Sequence, residues 1–473
     1  MSARRLTQGI ARRAWVILVA GAVMAAIPGL SDAQTWSYKD AAKPYAGRSI
    51  TVLDEVTPLQ ESMKALVPEF EKETGIKVDY QLLNHFEVIS KGQADMLSGR
   101  GAYDAVMVHS PQMGLLLDAG VIRPIDELMG NKALTNPGLD RADFIQPAAD
   151  TLTKFRGKTY GYLNWNYNVV YWARGDLFSH PDERAAFKKR YNYDLAPAKT
   201  LQQMRDIAEF FTRKKGEKLA GETLESDFYG VVLEGIKGGT TLWTVLNAFV
   251  KNFGGDIFDA EGRPTVNRPE NVAGVKFWAD LWKFSPPGQA EYSLIDVPTV
   301  MGNGIAAQTL AWSDFVLGID QPGKSKLAGK FVYAGSPANA QWKKRSAETE
   351  PSGIVISKHS KQPEATYLFM QWMVDKNTQQ QLFTKSGGAG VPIRKSTWAL
   401  PVVKQSKFAP LYVAMQESLK YGAAKPKAPK LYEIMDVLVG LVQEVGLGKK
   451  TADQAMKEGQ EKVQAICVKK CTL

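Results

Sequence analysis

The residues best suited to binding a small molecule lie near the middle of this 473-residue chain, where two amides flank a large ring. These residues are Asn164, Trp165 and Asn166. They belong to a segment, 157–172, that begins as a turn and continues as an aromatic and β-branched run typical of a strand. Amides donate and accept hydrogen bonds, and an indole offers a flat apolar face. We interpret the run as a strand crossing between two lobes; an ordinary core strand with polar exposed positions is the alternative.

The elements before this run alternate between strand and helix patterns. An apolar strand at 50–53 is followed by a helix that Thr57 caps and that Pro68 should kink or restart. Residues 76–82 alternate as a second strand, and residues 103–108 form a third strand after another helix. This β-α-β succession predicts a parallel sheet.

Polar residues follow the carboxyl ends of these predicted strands. In an open α/β sheet, ligands lie beyond those ends. We therefore expect Glu55, His109 and Ser110 to line one rim as ligand-binding residues, with Asp54 beside them. Each of them could instead be a helix cap or a solvent-facing loop residue.

The second half of the chain repeats this arrangement. Residues 229–233 predict a strand, and residues 302–310 predict another that ends in three further candidate ligand-binding residues, Trp312, Ser313 and Asp314. Trp243, which follows a Gly-Gly loop, is proposed as a ligand-binding residue from its local chemistry alone.

Three stretches lack a regular pattern. Residues 337–351 form a polar, charged loop and a second candidate crossing, and residues 387–392 form a third irregular passage. The lysine- and proline-rich residues 425–430 are interpreted as a linker between C-terminal helices.

Length and charge limit the class of protein. A chain of 473 residues is too long for one compact core, so two or three domains are expected. Removing residues 1–33 removes four arginines and one aspartate, which lowers the formal net charge from +10 to +7. This modest basic charge does not indicate a nucleic-acid partner.

The N-terminus has the features of a secretory signal peptide. An apolar run at 14–27 is too short to span a membrane comfortably, and small residues at 31–33 predict cleavage after Ala33. Four basic residues precede the run: Arg4, Arg5, Arg12 and Arg13. A permanent anchor helix is the alternative. No cysteine lies near the cleavage site, so we expect no lipid anchor and a protein free in the periplasm.

The cysteines and the absence of common catalytic motifs further limit the class of protein. The chain's two cysteines, Cys467 and Cys471, could form a disulfide in an oxidising compartment; two free thiols are the alternative. No nucleophile elbow, Walker loop or HExxH motif is present. The four histidines show no metal-ligand spacing, so neither a metal nor a cofactor is expected: His85, His109, His180 and His359.

The order of short motifs resembles the extracellular solute-binding proteins of ABC importers, specifically the sugar-binding cluster that includes maltose-binding protein. The motifs run along nearly the whole mature chain: 70–78 (FEKETGIKV), 103–106 (YDAV), 119–128 (AGVIRPIDEL), 157–161 (GKTYG), 304–307 (GIAA) with Trp312, 390–394 (GVPIR) and 451–455 (TADQA).

The resemblance implies an α/β, two-lobed periplasmic-binding-protein fold of type II, with a ligand cleft between the lobes and three hinge crossings. It implies residues 46–162 plus 340–388 as lobe 1 and residues 163–339 plus 389–466 as lobe 2. It also implies that Trp312 stacks on a sugar ring with Asp314 beside it. An acidic hinge residue that many sugar binders carry is replaced here by Asn-Trp-Asn, which leaves the sugar's identity open.

The function implied is a periplasmic component of an ABC importer that binds a carbohydrate or polyol and delivers it to a membrane permease. A monomer that needs no cofactor is expected. Two rivals remain: the same fold binding an anionic or cationic small solute, and a secreted carbohydrate-active enzyme.

Overall fold

The computed structural model describes residues 36–146, 148–386, 390–467 and 470–473. The predicted signal peptide at 1–33 lies outside the described residues, as do residues 387–389 of the third irregular passage. The described chain from Trp36 to Leu473 forms one unit.

Strands of the described residues form an eight-stranded sheet and two short two-stranded sheets. They are β1 (Ser49–Glu55), β2 (Lys77–Leu83), β3 (Ala105–His109), β4 (Lys154–Phe155), β5 (Lys158–Thr159), β6 (Gly161–Arg174), β7 (Lys218–Leu219), β8 (Glu222–Thr223), β9 (Gln308–Trp312), β10 (Phe331–Ala334), β11 (Ala347–Ile356) and β12 (Gly422–Ala423).

Helices flank the large sheet and supply most of the remaining structure. They are α1 (Tyr38–Ala42), α2 (Pro58–Thr74), α3 (His85–Ser98), α4 (Met113–Asp118), α5 (Asp126–Gly130), α6 (Ala148–Thr153), α7 (Gly175–Ser179), α8 (Pro181–Tyr191), α9 (Leu201–Phe211), α10 (Gly239–Thr244), α11 (Pro269–Asp280), α12 (Asp296–Gly302), α13 (Ser313–Ile319), α14 (Pro363–Val374), α15 (Lys376–Lys385), α16 (Lys395–Trp398), α17 (Pro401–Lys404), α18 (Ala409–Leu419), α19 (Leu431–Gly446) and α20 (Ala452–Ile466).

The predicted β-α-β succession at the start of the fold is confirmed. Strand β1 pairs in parallel with β2 on one side and with β3 on the other, so the three carboxyl ends meet at one edge. Helix α2 begins where the Thr57 side chain accepts from the backbone N–H of Gln60, and it ends at Gly75 in a left-handed conformation.

The helix does not restart at Pro68, because α2 runs through this residue without interruption, and a kink there stays a prediction. A helical proline removes one backbone donor and leaves the carbonyl four residues earlier without its partner. Here both Pro68 and Lys64 lie on the exposed face, where water can bond that carbonyl.

Strand β6 joins two groups of strands. Its first half, up to Asn168, pairs antiparallel with β11, which in turn pairs with β3. Its second half, from Val169, pairs antiparallel with β9 and β10. The same strand therefore carries the backbone from the β1–β3 group to the β9–β10 group, as the crossing interpretation expects.

Two predictions for the second half of the chain are wrong. The polar stretch 337–351 is not a loop throughout, since β11 begins at Ala347 and its Glu348 is fully buried beside a lysine. Residues 229–233 make only isolated bridges, from Tyr229 to Ala306 and from Val232 to Thr309. Their apolar pattern reflects burial, which a short apolar run cannot distinguish from strand pairing.

The C-terminal segment is closed by a local disulfide and bonded through its backbone to the body of the protein. Cys467 and Cys471 are joined in a disulfide, and both are buried. The backbone N–H of Cys471 donates to the carbonyl of Gly262 at 2.9 Å. Within the described ranges, every helix is too short or too polar to cross a membrane.

Candidate functional site

A β-bulge at Asn164 opens the site. Leu163 pairs with Gly353 and Trp165 pairs with Ser352, so the ladder skips Asn164. A bulge re-aims side chains locally. The amide of Asn164 donates to Asp54 Oδ2 at 3.0 Å, and this carboxylate also accepts from the Tyr80 hydroxyl at 2.7 Å. Burial raises the pKa of Asp54 to about 6, although these hydrogen bonds oppose the shift.

A second group gathers where β1, α3 and β3 meet, and we call it the histidine end: Glu55, His85 and His109. Glu55 Oε2 lies 2.9 Å from His109 Nε2 and 3.1 Å from His85 Nδ1. Burial alone would raise the pKa of Glu55, but the two imidazoles outweigh burial and lower it to about 2. Burial opposes the charge on His85, yet its hydrogen bond to Glu55 raises the histidine's pKa.

A buried lysine with two glutamates lies next to the histidine end. Lys425 Nζ is 2.8 Å from Glu348 Oε1 and also contacts Glu350 Oε2. Glu350 Oε1 accepts from the backbone N–H of Ser110 at 2.9 Å and from its hydroxyl at 2.7 Å. Burial alone would lower the pKa of Lys425, but the charges of Glu348 and Glu350 raise it.

Two tryptophans complete what we call the tryptophan end: Trp243, Trp312, Lys425, Glu348 and Glu234. The ammonium of Lys425 lies 5.6 Å from the ring centre of Trp243 and 5.9 Å from that of Trp312. The indole N–H of Trp312 donates to Glu234 Oε1 at 3.0 Å. Burial raises the pKa of Glu234 to about 7, and burial likewise raises that of Glu348 to about 7.

The two ends are continuous. Glu350 joins them, because its Oε1 lies 3.9 Å from His109 Nδ1 while its other oxygen contacts Lys425. The ring of Trp165 packs on His109 with a centroid distance of 5.8 Å. Trp312 and Trp165 therefore belong to one chain of contacts and not to separate interiors.

Three predicted site residues remain: Asp314, Ser313 and Asn166. Asp314 is close enough for the charge of Glu55 to act on it, and burial raises the pKa of Asp314 to about 7. Ser313 Oγ lies 3.5 Å from Asn168 Oδ1. Asn166 does not join the cluster by any contact in the described chain; its Oδ1 accepts from Thr349 at 2.8 Å.

Several buried polar atoms around the cluster have no hydrogen-bond partner among the described residues. They include both donors and acceptors: Trp165 Nε1, Trp243 Nε1, Thr241 Oγ1, Thr244 Oγ1, Asn247 Oδ1 and Asp314 Oδ1. A buried polar group without a partner costs about 1–3 kcal/mol, so these atoms are candidates for hydrogen bonds to a ligand or to water.

Sequence reasoning missed five members of the cluster: His85, Glu234, Glu348, Glu350 and Lys425. A signal existed for Glu348, since it alternates with Glu350 in a strand and alternate residues share a face. Lys425 gave none, because it belongs to a lysine-rich segment interpreted as a linker, yet its side chain is only 1% exposed. His85 also gave none, since it lies 24 positions before His109 in the sequence although the centres of the two rings are 4.7 Å apart.

The family follows from residues 54–380, which match the profile of the bacterial extracellular solute-binding proteins. This match covers more than half of the chain, so the chain belongs to that family. The resemblance expected from the sequence motifs is confirmed.

Relatives with described ligands share this fold. The erythritol/L-threitol-binding protein of Mycolicibacterium smegmatis is 22% identical over 75% of this chain and 72% of its own. An ABC transporter solute-binding protein of Agrobacterium radiobacter K84, in complex with ribitol, has a TM-score of 0.72 at 24% identity and covers 89% of this chain and 99% of its own. A maltose-bound protein of T. maritima, MalE3, has a TM-score of 0.70 at 19% identity and covers 88% and 99%. The predicted two-lobed α/β fold is confirmed.

Proposed function

We propose that this protein binds a polyol or a small sugar and presents it to the membrane permease of an ABC importer. The observation that carries the proposal is the set of unpartnered donors and acceptors beside the indoles of Trp165, Trp243 and Trp312. A polyol has C–H faces that pack on indole rings and hydroxyls that both donate and accept. The polyol and sugar ligands of the similar proteins support the same class.

The charges around the cluster disfavour an anionic solute. Its carboxylates outnumber its single lysine, Lys425, which is already paired with Glu348 and Glu350. An anion would enter a buried region in which burial already raises the pKa of three of the carboxyls, Glu234, Glu348 and Asp314, to about 7. A protonated carboxyl group can donate a hydrogen bond to a hydroxyl, which suits a neutral polyol.

The proposed mechanism is closure of two lobes around the solute. Lobe 1 comprises residues 46–162 plus 340–388, and lobe 2 comprises residues 163–339 plus 389–466. The change of partners along β6 between Asn168 and Val169 supports a boundary within this strand, a few residues beyond residue 163. A solute that contacts both lobes shifts the population toward the closed state, which the permease recognises.

The proposal places the protein in the periplasm as a monomer, exported by a signal peptide at 1–33 and without a lipid anchor. Membership of an extracellular family supports export. We also propose that the protein does not turn its solute over, since its family is one of binding proteins. Release of cleaved or modified sugar by the purified protein would contradict this part.

A thermal-shift screen of the mature protein tests the solute class. The compounds are linear polyols of four to six carbons, monosaccharides and maltose, with a polyamine and a dicarboxylate as charged comparisons. A true solute at a hundred times its Kd should stabilise the protein by about 2.7 kcal/mol. Neutral binding should also be insensitive to salt, since screening acts on charges.

Two tryptophan variants test whether the thermal shift comes from binding at the tryptophan end. Trp312→Ala should abolish the shift, whereas Trp342→Ala should retain it, because Trp342 is 39% exposed and packs on Phe253 instead. A shift caused only by the polyamine or the dicarboxylate, and lost at high salt, would overturn the polyol proposal.

A further inference from the structure

The histidine end has the composition of a metal site as well as that of a hydrogen-bonded cluster. Glu55 is the last residue of β1, His85 is the first residue of α3, and His109 is the last residue of β3. Parallel pairing of β1 with β2 and β3 brings these three ends together, although the residues are far apart in sequence. Two imidazoles and one carboxylate are a ligand set that zinc sites use.

We propose that Glu55, His85 and His109 bind a divalent transition-metal ion of the zinc type. Each of the three residues offers one ligand atom, and these atoms lie within 4.8 Å of one another. Glu55 Oε2, His85 Nδ1 and His109 Nε2, which already contact one another through Glu55, would coordinate the ion. With bonds of about 2.0–2.1 Å, tetrahedral ligand atoms lie about 3.3 Å apart. The observed separations from Glu55 Oε2, 2.9 and 3.1 Å, are therefore a few tenths of an ångström short of a zinc geometry.

Ser352 lies behind His109, in the position of a residue that orients a metal-binding imidazole. Ser352 Oγ lies 3.0 Å from His109 Nδ1, on the opposite side of the ring from Glu55. When Nε2 of a histidine binds a metal, its other ring nitrogen carries the proton and donates it to an oxygen of this kind. Ser352 and His109 are both buried, so this contact fixes the orientation of the ring.

The three ligands leave the ion's fourth position to water. His85 has the most exposed side chain of the three, at 31%, which gives an ion a route from solvent to the site. A site with three protein ligands and one open position differs from closed structural zinc sites, which use four protein ligands. The proposal is independent of the solute, because the tryptophan end contributes no ligand atom.

Cobalt and zinc titrations of the mature protein test the proposal. The protein is prepared without a histidine tag and treated with EDTA, which is then removed by dialysis. Co²⁺ should bind with a stoichiometry of one and produce the visible absorption of a four-coordinate ion with nitrogen and oxygen ligands. Zn²⁺ should displace it, while Mg²⁺ should not compete, since it prefers oxygen ligands.

Matched variants assign the binding to these residues. His85→Gln and Glu55→Gln should each weaken Zn²⁺ binding by more than about 100-fold, and Ser352→Ala by about 10-fold, as outer-shell changes do. His359→Gln is the control, because this exposed histidine lies outside the cluster and should leave binding unchanged. Circular dichroism and thermal unfolding of each variant separate loss of the site from loss of the fold.

Two outcomes would overturn the metal site: no stoichiometric Co²⁺ spectrum from folded wild-type protein, or Zn²⁺ binding that persists in both His85→Gln and Glu55→Gln. Polyol binding is measured in the presence of EDTA with the same wild-type and variant proteins. A protein that binds polyol in EDTA but never binds Co²⁺ would refute the metal proposal alone, and the reverse result would refute the solute proposal alone.

Discussion

The histidine end and the tryptophan end bury charged groups in opposite ways. Glu55 receives hydrogen bonds from two imidazoles, and its pKa is lowered to about 2. Glu234 and Glu348 have pKa values raised to about 7 because burial outweighs their partners. The three residues of the histidine end bond one another, whereas at the tryptophan end Trp243 Nε1 and Asn247 Oδ1 have no partner among the described residues.

This difference indicates where binding energy is available. A preorganised cluster whose groups already bond one another gains little from a ligand, except from an ion that replaces the shared protons. Unpartnered atoms gain the full benefit of each new hydrogen bond, because their desolvation has already occurred in the folded protein. We therefore assign solute binding to the tryptophan end and ion binding to the histidine end.

The largest expected effect concerns Lys425. Lys425→Met should destabilise the protein by about 3–5 kcal/mol at neutral pH, because it leaves Glu348 and Glu350 buried without a counter-ion. Urea unfolding measures this loss. The control Lys420→Met removes an exposed pair with Glu417 and should cost less than about 1 kcal/mol. Equal losses in the two variants would contradict the distinction between the tryptophan end and the surface.

The next effect is on affinity at the tryptophan end. Trp312→Ala should weaken solute binding by at least about 2 kcal/mol, or roughly 30-fold, as for a buried aromatic anchor at the centre of a binding site. Calorimetry of wild-type and variant proteins provides the measurement. An unchanged Kd would remove Trp312 from the site and move the solute away from this end.

A smaller effect distinguishes the two ends by pH. The folded pKa of Glu234 is raised from 4.5 to about 7, so its burial costs stability in full above about pH 7, and this cost falls as the pH drops from 7 and is lost below the unfolded value of 4.5. Glu234→Gln should therefore increase stability by roughly 1–3 kcal/mol at pH 8 and by less at pH 5. Exposed Glu291→Gln should change stability little at either pH. A gain independent of pH would show that Glu234 is not the group responsible.

The smallest effect has the opposite pH dependence and belongs to the histidine end. The lowered pKa of Glu55 contributes stability above its unfolded value of 4.5, and this contribution is lost as the pH falls through about 2. The raised pKa of His85 contributes stability below its unfolded value of 6.5, and this is lost as the pH rises through the folded value. Both contributions arise from one hydrogen-bonded pair, so they are not added.

His85→Gln should therefore destabilise the metal-free protein most between about pH 4.5 and 6.5, by less than about 1 kcal/mol because His85 is partly exposed. The difference in unfolding free energy between wild type and variant, measured across pH in EDTA, tests this. A difference that is flat with pH would indicate that no ion pair forms between His85 and Glu55.

Sequence periodicity predicted the parts of the fold that local chemistry determines. The β1–α2–β2 unit follows from alternating and helical spacing together with the Thr57 cap, and the structure confirms it. The crossing strand at 157–172 was expected from its turn and its aromatic run, and β6 occupies residues 161–174. These signals succeed because neighbouring residues alone determine them.

The errors arose where distant residues decide the structure. A charged stretch was predicted to be a loop, but Lys425, 77 residues beyond Glu348, neutralises that strand and allows it to be buried. Likewise, His85 and His109 meet only because β1, β2 and β3 are paired in parallel. The carboxyl ends of the predicted strands placed Glu55 and His109 on one rim, but His85 and Lys425 had no local pattern that could place them beside these residues.

A crystal structure with the solute found in the screen will show whether the solute binds at the tryptophan end. We expect a polyol or sugar packed on the indoles of Trp243 and Trp312, with hydroxyls bonded to Asn247 Oδ1 and Trp243 Nε1. A solute bound elsewhere, with these atoms still without partners, would contradict it.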